Sequence, residues 1–365
     1  MYKYPQIHQI GCDEMSLKNK AIISEYLEQR DTFAKLGDIV SSTLKKELKN
    51  ADIDIFAVEH RVKEEQSLEG KLELKGEKYK TLADITDILG ARIICFFSDD
   101  VDKTASLIEQ LFDIDWENSV DKRSQLTPDA FGYLSLHYIC SLPNESGYGE
   151  ELTSKKFEIQ IRSTLQHTWA AISHDLGYKS EYGVPKRITR EMSRVAGLLE
   201  IADDQFINIR DDLTKYSEEV KLMLEQGELG SVLIDLVTLT QYLDTDRQMK
   251  DFTAELVHIS GAKPKKISPE SYIEQLNFLG KKTIGDIEIM LLENKEKALK
   301  LAKRTFESNE LSRISSNVPL FFLCRAELLD NGYSLDDITK FMNISTKNLH
   351  RAQRQAEQLV TMNFI

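Results

Sequence analysis

A chain of 365 residues with a formal net charge of −13 at pH 7, 41% hydrophobic and 29% charged, has the composition of an acidic folding protein, and its length suggests roughly two to three domains. Disorder and collagen-like repeats are excluded, and the acidic total argues against a general polyanion-binding coat, although a local basic patch can still bind phosphate or RNA. No apolar run reaches the ~18 residues of a membrane span, the start Met1-Tyr2-Lys3-Tyr4-Pro5 lacks a signal-peptide core, and Cys12, Cys95, Cys140 and Cys324 show no CxxC spacing, so a cytoplasmic protein with reduced thiols and no membrane contact is expected.

Along residues 13–49, Ile22, Ile23, Tyr26, Leu27, Phe33, Leu36 and Val40 recur at helical spacing, which predicts two packed opening helices in a segment 1–50. Residues 53–58 read as a strand, followed by a basic turn at Arg61 and Lys63 and a helix over 67–74. Residues 91–97 are nearly all apolar, as in a central strand covered on both faces, and Ser98-Asp99-Asp100 begins the next helix. Residues 133–140 and 157–162, joined by a Pro/Asn/Gly-rich turn, predict an antiparallel hairpin.

Beyond Ser163 the strand pattern stops and helical periodicity takes over, with a long helix from Ile188 to about Leu224. The glycine-flanked stretch 225–230 is the expected boundary between a region 51–225 and an all-α domain 226–365. In that domain, helices are predicted at 232–243, 245–258, 270–279 and 284–306, and a helix-turn-helix pattern occupies 334–359. Its second helix carries Lys347, His350, Arg351 and Arg354, which makes DNA or a protein the expected partner class, with a charged interaction hairpin favoured over DNA binding.

On the strand 157–162, Phe157, Ile159 and Ile161 alternate with Glu158, Gln160 and Arg162, so one face is core and the other wet or functional. Taken alone, that pattern is most simply a half-exposed sheet. Asp87, however, precedes the strand bearing Arg92, and Arg61 and Lys63 precede a helix bearing Ser67 and Lys71. Two carboxylates among several cations suit a magnesium-assisted reaction on a nucleotide polyphosphate, because carboxylates hold the hard cation while guanidinium and ammonium groups neutralise phosphate oxygens.

The Arg61-Val62-Lys63, Ser67 and Lys71 set, then 87–94, then Gly132 to His137, then 158–162, resembles in order and spacing the RelA/SpoT alarmone synthetase domain, of the small type without a hydrolase domain. Trp169, His174 and Tyr178-Lys179 are similar to its closing motif. The resemblance implies an α+β fold: a mixed five-stranded, nucleotidyltransferase-like sheet flanked by helices, here followed by the all-α domain. It implies a pyrophosphokinase moving the β,γ-pyrophosphate of ATP to the 3′-hydroxyl of GDP or GTP, with Asp87 and Glu158 catalytic and on magnesium. Arg61, Lys63, Ser67, Lys71 and Arg92 would bind ATP, Gln160 and Arg162 would support Glu158, Tyr133 would stack on the acceptor base, and His137, Lys122 and Arg123 would lie by the acceptor. A homo-oligomer is expected, with the helical domain regulatory or oligomerising.

The chain departs from the family at Pro128-Asp129-Ala130-Phe131, where a phosphate-binding lysine has become an aspartate. Repulsion between Asp129 and a diphosphate leaves three readings open: a guanosine acceptor, a toxic member acting on the tRNA 3′ end or making adenosine alarmones, and a non-catalytic nucleotide-binding regulator. His174-Asp175 is not read as a hydrolase motif. His60, His167 and His258 are read as packing or surface residues, and Lys186, Arg187, Arg190 and Arg194 as a solvated basic face more than an RNA contact.

Overall fold

The computed structural model describes residues 7–121, 135–176, 185–307 and 311–363, with side chains of the first helix described from residue 17. The chain divides into two units, Met1–Arg210 and Asp211–Ile365.

The first unit opens on one helix, α1 (Ile7–Asn50), where two were expected. The polar stretch Glu28 to Thr32 resembles a turn in sequence but contains no proline or glycine to break the helix. The buried residues Ile22, Tyr26, Phe33, Leu36, Val40, Leu44 and Leu48 therefore form one continuous stripe. Burying each aliphatic or phenyl group of this kind contributes roughly 1.5–3 kcal/mol. Gly37 lies within α1 because a Cβ there would come within 2.4 Å of His60 Cδ2, so the missing side chain lets the helix approach the sheet.

That sheet contains β1 (Ile55–Val62), β2 (Leu89–Cys95), β3 (Asp113–Ile114), β4 (Val120–Asp121), β5 (Leu136–Ser141) and β6 (Phe157–Ser163). Five strands run in the order β1-β2-β6-β5-β3, with β2 and β6 parallel and the other pairs antiparallel; β4 adds a sixth by pairing with β5. The expected basic turn at Arg61 is corrected, since the β1–β2 ladder runs on through Arg61 and Val62 and places Arg61 in the strand. The β5–β6 pair is antiparallel as expected, and the short helix α4 (Glu150–Thr153) lies in its connection. One face of the sheet packs Leu89, Ile93, Tyr138, Phe157, Ile159 and Ile161 against α1, α2 (Glu65–Lys75) and α3 (Asp100–Leu111).

At the end of β6, Ser163 caps α5 (Thr164–Asp175) by accepting from the Gln166 backbone N–H at 3.1 Å, and it donates to the buried Asp203 at 2.7 Å. Asp203 belongs to α6 (Lys186–Glu225), whose Arg210 also holds Asp99 through two 2.9 Å bonds. The division at residue 210 falls inside this helix, upstream of the expected 225–230 boundary; a turn with Gly227 at φ 77 follows the helix. Lys186, Arg187, Arg190 and Arg194 are all exposed on α6.

The second unit contains α7 (Leu236–Thr245), α8 (Arg247–Ser260), α9 (Glu270–Phe278), α10 (Ile284–Glu307), α11 (Val318–Asp330), α12 (Leu335–Thr346) and α13 (Leu349–Asn363) around a core that includes Phe252, Met290, Leu320 and Phe341. It is not purely helical: β7 (Lys263–Lys265) and β8 (Arg313–Ser315) pair in parallel. The expected helix-turn-helix is present as α12 and α13, with Lys347 in the left-handed region (φ 46) at the turn. Cys95, Cys140 and Cys324 are buried free thiols, and among the described residues no helix is long and apolar enough to cross a membrane.

Candidate active site

The polar face of the sheet is built by register. Glu59 lies opposite Arg92 and Arg61 opposite Gly90 across β1–β2; Gly90 lies opposite Glu158 and Arg92 opposite Gln160 across β2–β6; His137 lies opposite Gln160 across β5–β6. Because side chains alternate along each strand, these residues emerge on the face opposite the core. A cavity of about 350 Å³ opens there, lined by Arg61, Lys63, Ser67, Asp87, Arg92 and Glu158 among others.

Asp87 is the first fixed point. Lys71 donates to its Oδ1 at 2.7 Å, and the Lys63 ammonium is 3.1 Å from Oδ2. Burial raises the carboxyl, but the two ammonium groups outweigh it and hold Asp87 below its ordinary value. Burial conversely disfavours the Lys71 cation, and Asp87 overcomes it, so Lys71 sits above its ordinary value. Lys71 lies one helical turn beyond Ser67 on α2, which puts both on one face, while Leu68 and Leu72 anchor the helix in the core. The Tyr26 hydroxyl donates to the Lys63 carbonyl, tying the entry to α2 onto α1.

Glu158 is the second. Its Oε1 lies 2.7 Å from His137 Nδ1, and its Oε2 accepts from Gln160 Nε2 at 2.7 Å. His137 Nε2 lies 2.7 Å from Ser135 Oγ; with the ring proton on Nδ1, His137 donates to Glu158 and accepts from the serine hydroxyl. Arg162 donates to Gln160 Oε1 at 2.9 Å and so continues the network.

Positive charge is crowded against these carboxylates. Arg92 pairs with Glu59 at 3.6 Å, yet the Nε atoms of both Arg92 and Arg162 are buried without a hydrogen-bond partner. Burial, and then the charge of Arg92, push the Arg162 guanidinium down to about 10 against the pull of Glu158. Burial and the same two guanidinium groups lower His167, whose Nδ1 is also buried and unpartnered. Unsatisfied cationic donors beside a cavity suit a polyanion that brings its own acceptors.

The structure thus brings together Arg61, Lys63, Ser67, Asp87, Arg92, Glu158 and Gln160 around one cavity, with Lys71 bound to Asp87 and with His137 and Arg162 in the Glu158 network. Lys122, Arg123, Asp129, Tyr133, Tyr178 and Lys179 lie outside the described residues. Sequence reasoning did not name Glu59, which lines the cavity opposite Arg92 through the β1–β2 register; His167, read as a packing or surface residue, lies near Arg92 and Arg162. Among the described residues no three His, Cys, Asp or Glu side chains gather as a metal site. Asp87 and Glu158 still offer hard oxygen donors to the same cavity, a set that fits magnesium, which commonly takes one or two carboxylates and completes its shell with phosphates and water.

Residues 60–182 match the family described as the region found in RelA / SpoT proteins. The GTP pyrophosphokinase YwaC of Bacillus subtilis (strain 168) is 33% identical over 162 residues, covering 43% of this chain and 75% of that protein. The GTP pyrophosphokinase YjbM of the same organism is 29% identical over 172 residues, covering 47% and 77%. Among solved structures, small alarmone synthetase 2 from Bacillus subtilis aligns with 29% identity and a TM-score of 0.40, covering 53% of this chain and 98% of that one. The chain belongs to the RelA/SpoT family. Its second unit, Asp211–Ile365, lies beyond the family match.

Proposed function

We propose that this protein is an ATP-dependent pyrophosphokinase that transfers the β,γ-pyrophosphate of ATP to the ribose 3′-hydroxyl of GDP or GTP. The observation that carries the reading is the juxtaposition around one cavity of Asp87, clamped by Lys63 and Lys71, and Glu158, clamped by His137 and Gln160, beside arginines with unpartnered donors. The acceptor hydroxyl attacks the β-phosphorus, its proton passes to a Glu158 oxygen, and the bond from the β-phosphorus to the α-phosphate oxygen breaks, leaving AMP. Lys63, Lys71, Arg61 and Arg92 neutralise the phosphate oxygens, and the N-terminal turn of α2, which carries Ser67, offers backbone N–H groups to phosphate.

Magnesium, when held by Asp87 and Glu158, would supply further charge neutralisation to the phosphates. His137 and Gln160 orient Glu158 so that its acceptor lone pair faces the hydroxyl. The family membership and the relatives named GTP pyrophosphokinase support a guanosine acceptor. Nucleotide substrates and three buried free thiols support a cytoplasmic setting. Incubating the purified protein with γ-labelled ATP and, separately, GDP, GTP, no added acceptor and bulk tRNA tests the acceptor. Label in a nucleotide more phosphorylated than the added GDP or GTP supports the reading, and label confined to RNA or to an adenosine product overturns it.

A further inference from the structure

In the second unit, α11 carries two charged side chains two residues apart that are treated in opposite ways. Glu327, almost wholly buried, is met by Lys281 at 2.5 Å and by Asn294 Nδ2 at 2.7 Å. Arg325, half-buried, has no such answer. Its guanidinium lies 3.3 Å from the centroid of the Phe321 ring, one donor goes to the Phe321 carbonyl at 2.8 Å, and another reaches only the thioether sulfur of Met342 at 3.6 Å. No carboxylate among the described residues pairs with it. Burial pushes it down to about 10, against the charges of Tyr272 and Cys324.

A guanidinium has five N–H donors, and keeping one half-buried among apolar groups without a counter-ion leaves donors to be met by water or a ligand. The side chain borders a cavity of about 140 Å³ whose other walls include Phe322, Leu359, Met342 and Met362, with Gln355 and Gln358 of α13 also lining it. A cavity near 150 Å³ has room for a benzene ring, so the space suits a ring-sized body. Around the corner the same two glutamines join His350, Arg351 and Arg354 in lining a second recess, which adds positive potential and no acid.

We propose that this cavity is a binding site for a small organic anion, a carboxylate or phosphate on a flat apolar body, with the head group on Arg325 and the body against Phe322, Met342, Leu359 and Met362. The anion supplies the counter-charge that the fold omits. The planar fork of Arg325, braced on Phe321, can donate to two oxygens in one plane, and the glutamine amides of α13 can serve either head group. The site lies wholly within Asp211–Ile365 and does not depend on the reaction assigned to the first unit.

The test uses the full chain labelled with ¹³C at its methionine methyl groups, with the Met342 and Met362 signals assigned through Met342→Leu and Met362→Leu. Benzoate, phenyl phosphate and neutral benzyl alcohol are titrated in turn. The expected result is a saturable shift of both signals with at least one anion, about tenfold or more tighter than with benzyl alcohol. The preferred anion identifies the head group. Arg325→Leu should abolish that preference while leaving the melting temperature equal or higher, since it removes an uncompensated charge. No saturable shift at these two methyls up to about 20 mM of either anion, equal affinity for benzyl alcohol, or an anion preference surviving in Arg325→Leu would each overturn the proposal. Should Arg325→Leu fail to fold, the contrast between anions and benzyl alcohol in the unmodified protein decides.

Discussion

Gly90 lies directly across the parallel β2–β6 ladder from Glu158, and a Cβ built on it meets no atom within 4 Å. The space above Gly90 is therefore part of the cavity floor, kept open by the absence of a side chain. Gly90→Val should fold normally, and the β-branched residue suits a strand better than glycine does, so the melting temperature should be unchanged or raised. The isopropyl group would occupy room needed by the transferring phosphates, and kcat/KM for ATP should fall by about tenfold or more. Equal activity in the variant would show that substrate does not use this floor.

Asp87 is predicted to matter both to chemistry and to pH-dependent stability. Its carboxyl is held below the ordinary value, so its contribution to stability is present above the unfolded carboxyl pKa of about 3.9 and is lost as pH falls through the lower folded value. Asp87→Asn should abolish transfer, by on the order of 10²-fold or more, and should flatten the acid limb of the stability curve compared with the unmodified protein. Chemical denaturation at pH 3 to 6 and a turnover assay check the two limbs separately. An active variant with unaltered acid sensitivity would remove Asp87 from the site.

His137 touches Glu158 through Nδ1 and Ser135 through Nε2, which makes it a positioning residue for the base. His137→Ala should lower kcat by about 10²-fold while the KM for ATP changes little, because the ATP-side lysines are untouched. His137→Asn, whose side-chain amide can still donate to Glu158, should recover part of the loss. A rise in the KM for acceptor with kcat intact would instead assign His137 to acceptor binding.

The two faces of the strands that build this site were legible from alternation, whereas the roles of their side chains came from the family resemblance. The apolar run around Ile93 and the Glu158, Gln160, Arg162 alternation mark a covered strand and a two-faced strand whatever the surroundings. What was illegible depends on pairing between distant segments. The two-residue strands β3 and β4 exist because β5 offers them partners, and no local pattern of that length identifies a strand. The His137–Glu158 bond follows from the β5–β6 register. The unbroken α1 was missed because Glu28 to Thr32 are polar like a turn, although all lie on a helix whose flanking buried residues keep one stripe.

Asp203 gives a prediction of opposite sign to that for Asp87. Burial, reinforced by the neighbouring Asp204, raises its carboxyl to about 7. Between the unfolded value near 3.9 and this one, the folded state binds the extra proton, so stability falls as pH rises through that window and the penalty is complete above it. An asparagine side chain in its place would keep an acceptor for the Ser163 hydroxyl without the charge. Asp203→Asn should therefore raise the melting temperature more at pH 8 than at pH 5. A shift of the same size at both pH values, or a loss at pH 8, would mean that the carboxyl is already comfortably ionised.

Pyrophosphate transfer moves a two-phosphate unit intact, and the fate of all three phosphates of ATP tests this directly. With ATP labelled separately at the β and γ positions, magnesium and excess GDP or GTP, the expected products are AMP and the more phosphorylated guanosine nucleotide in equal amounts, with both labels in the latter. Formation of ADP with only the γ label transferred would make the protein a simple phosphotransferase, and no transfer to either guanosine nucleotide would contradict the assignment outright.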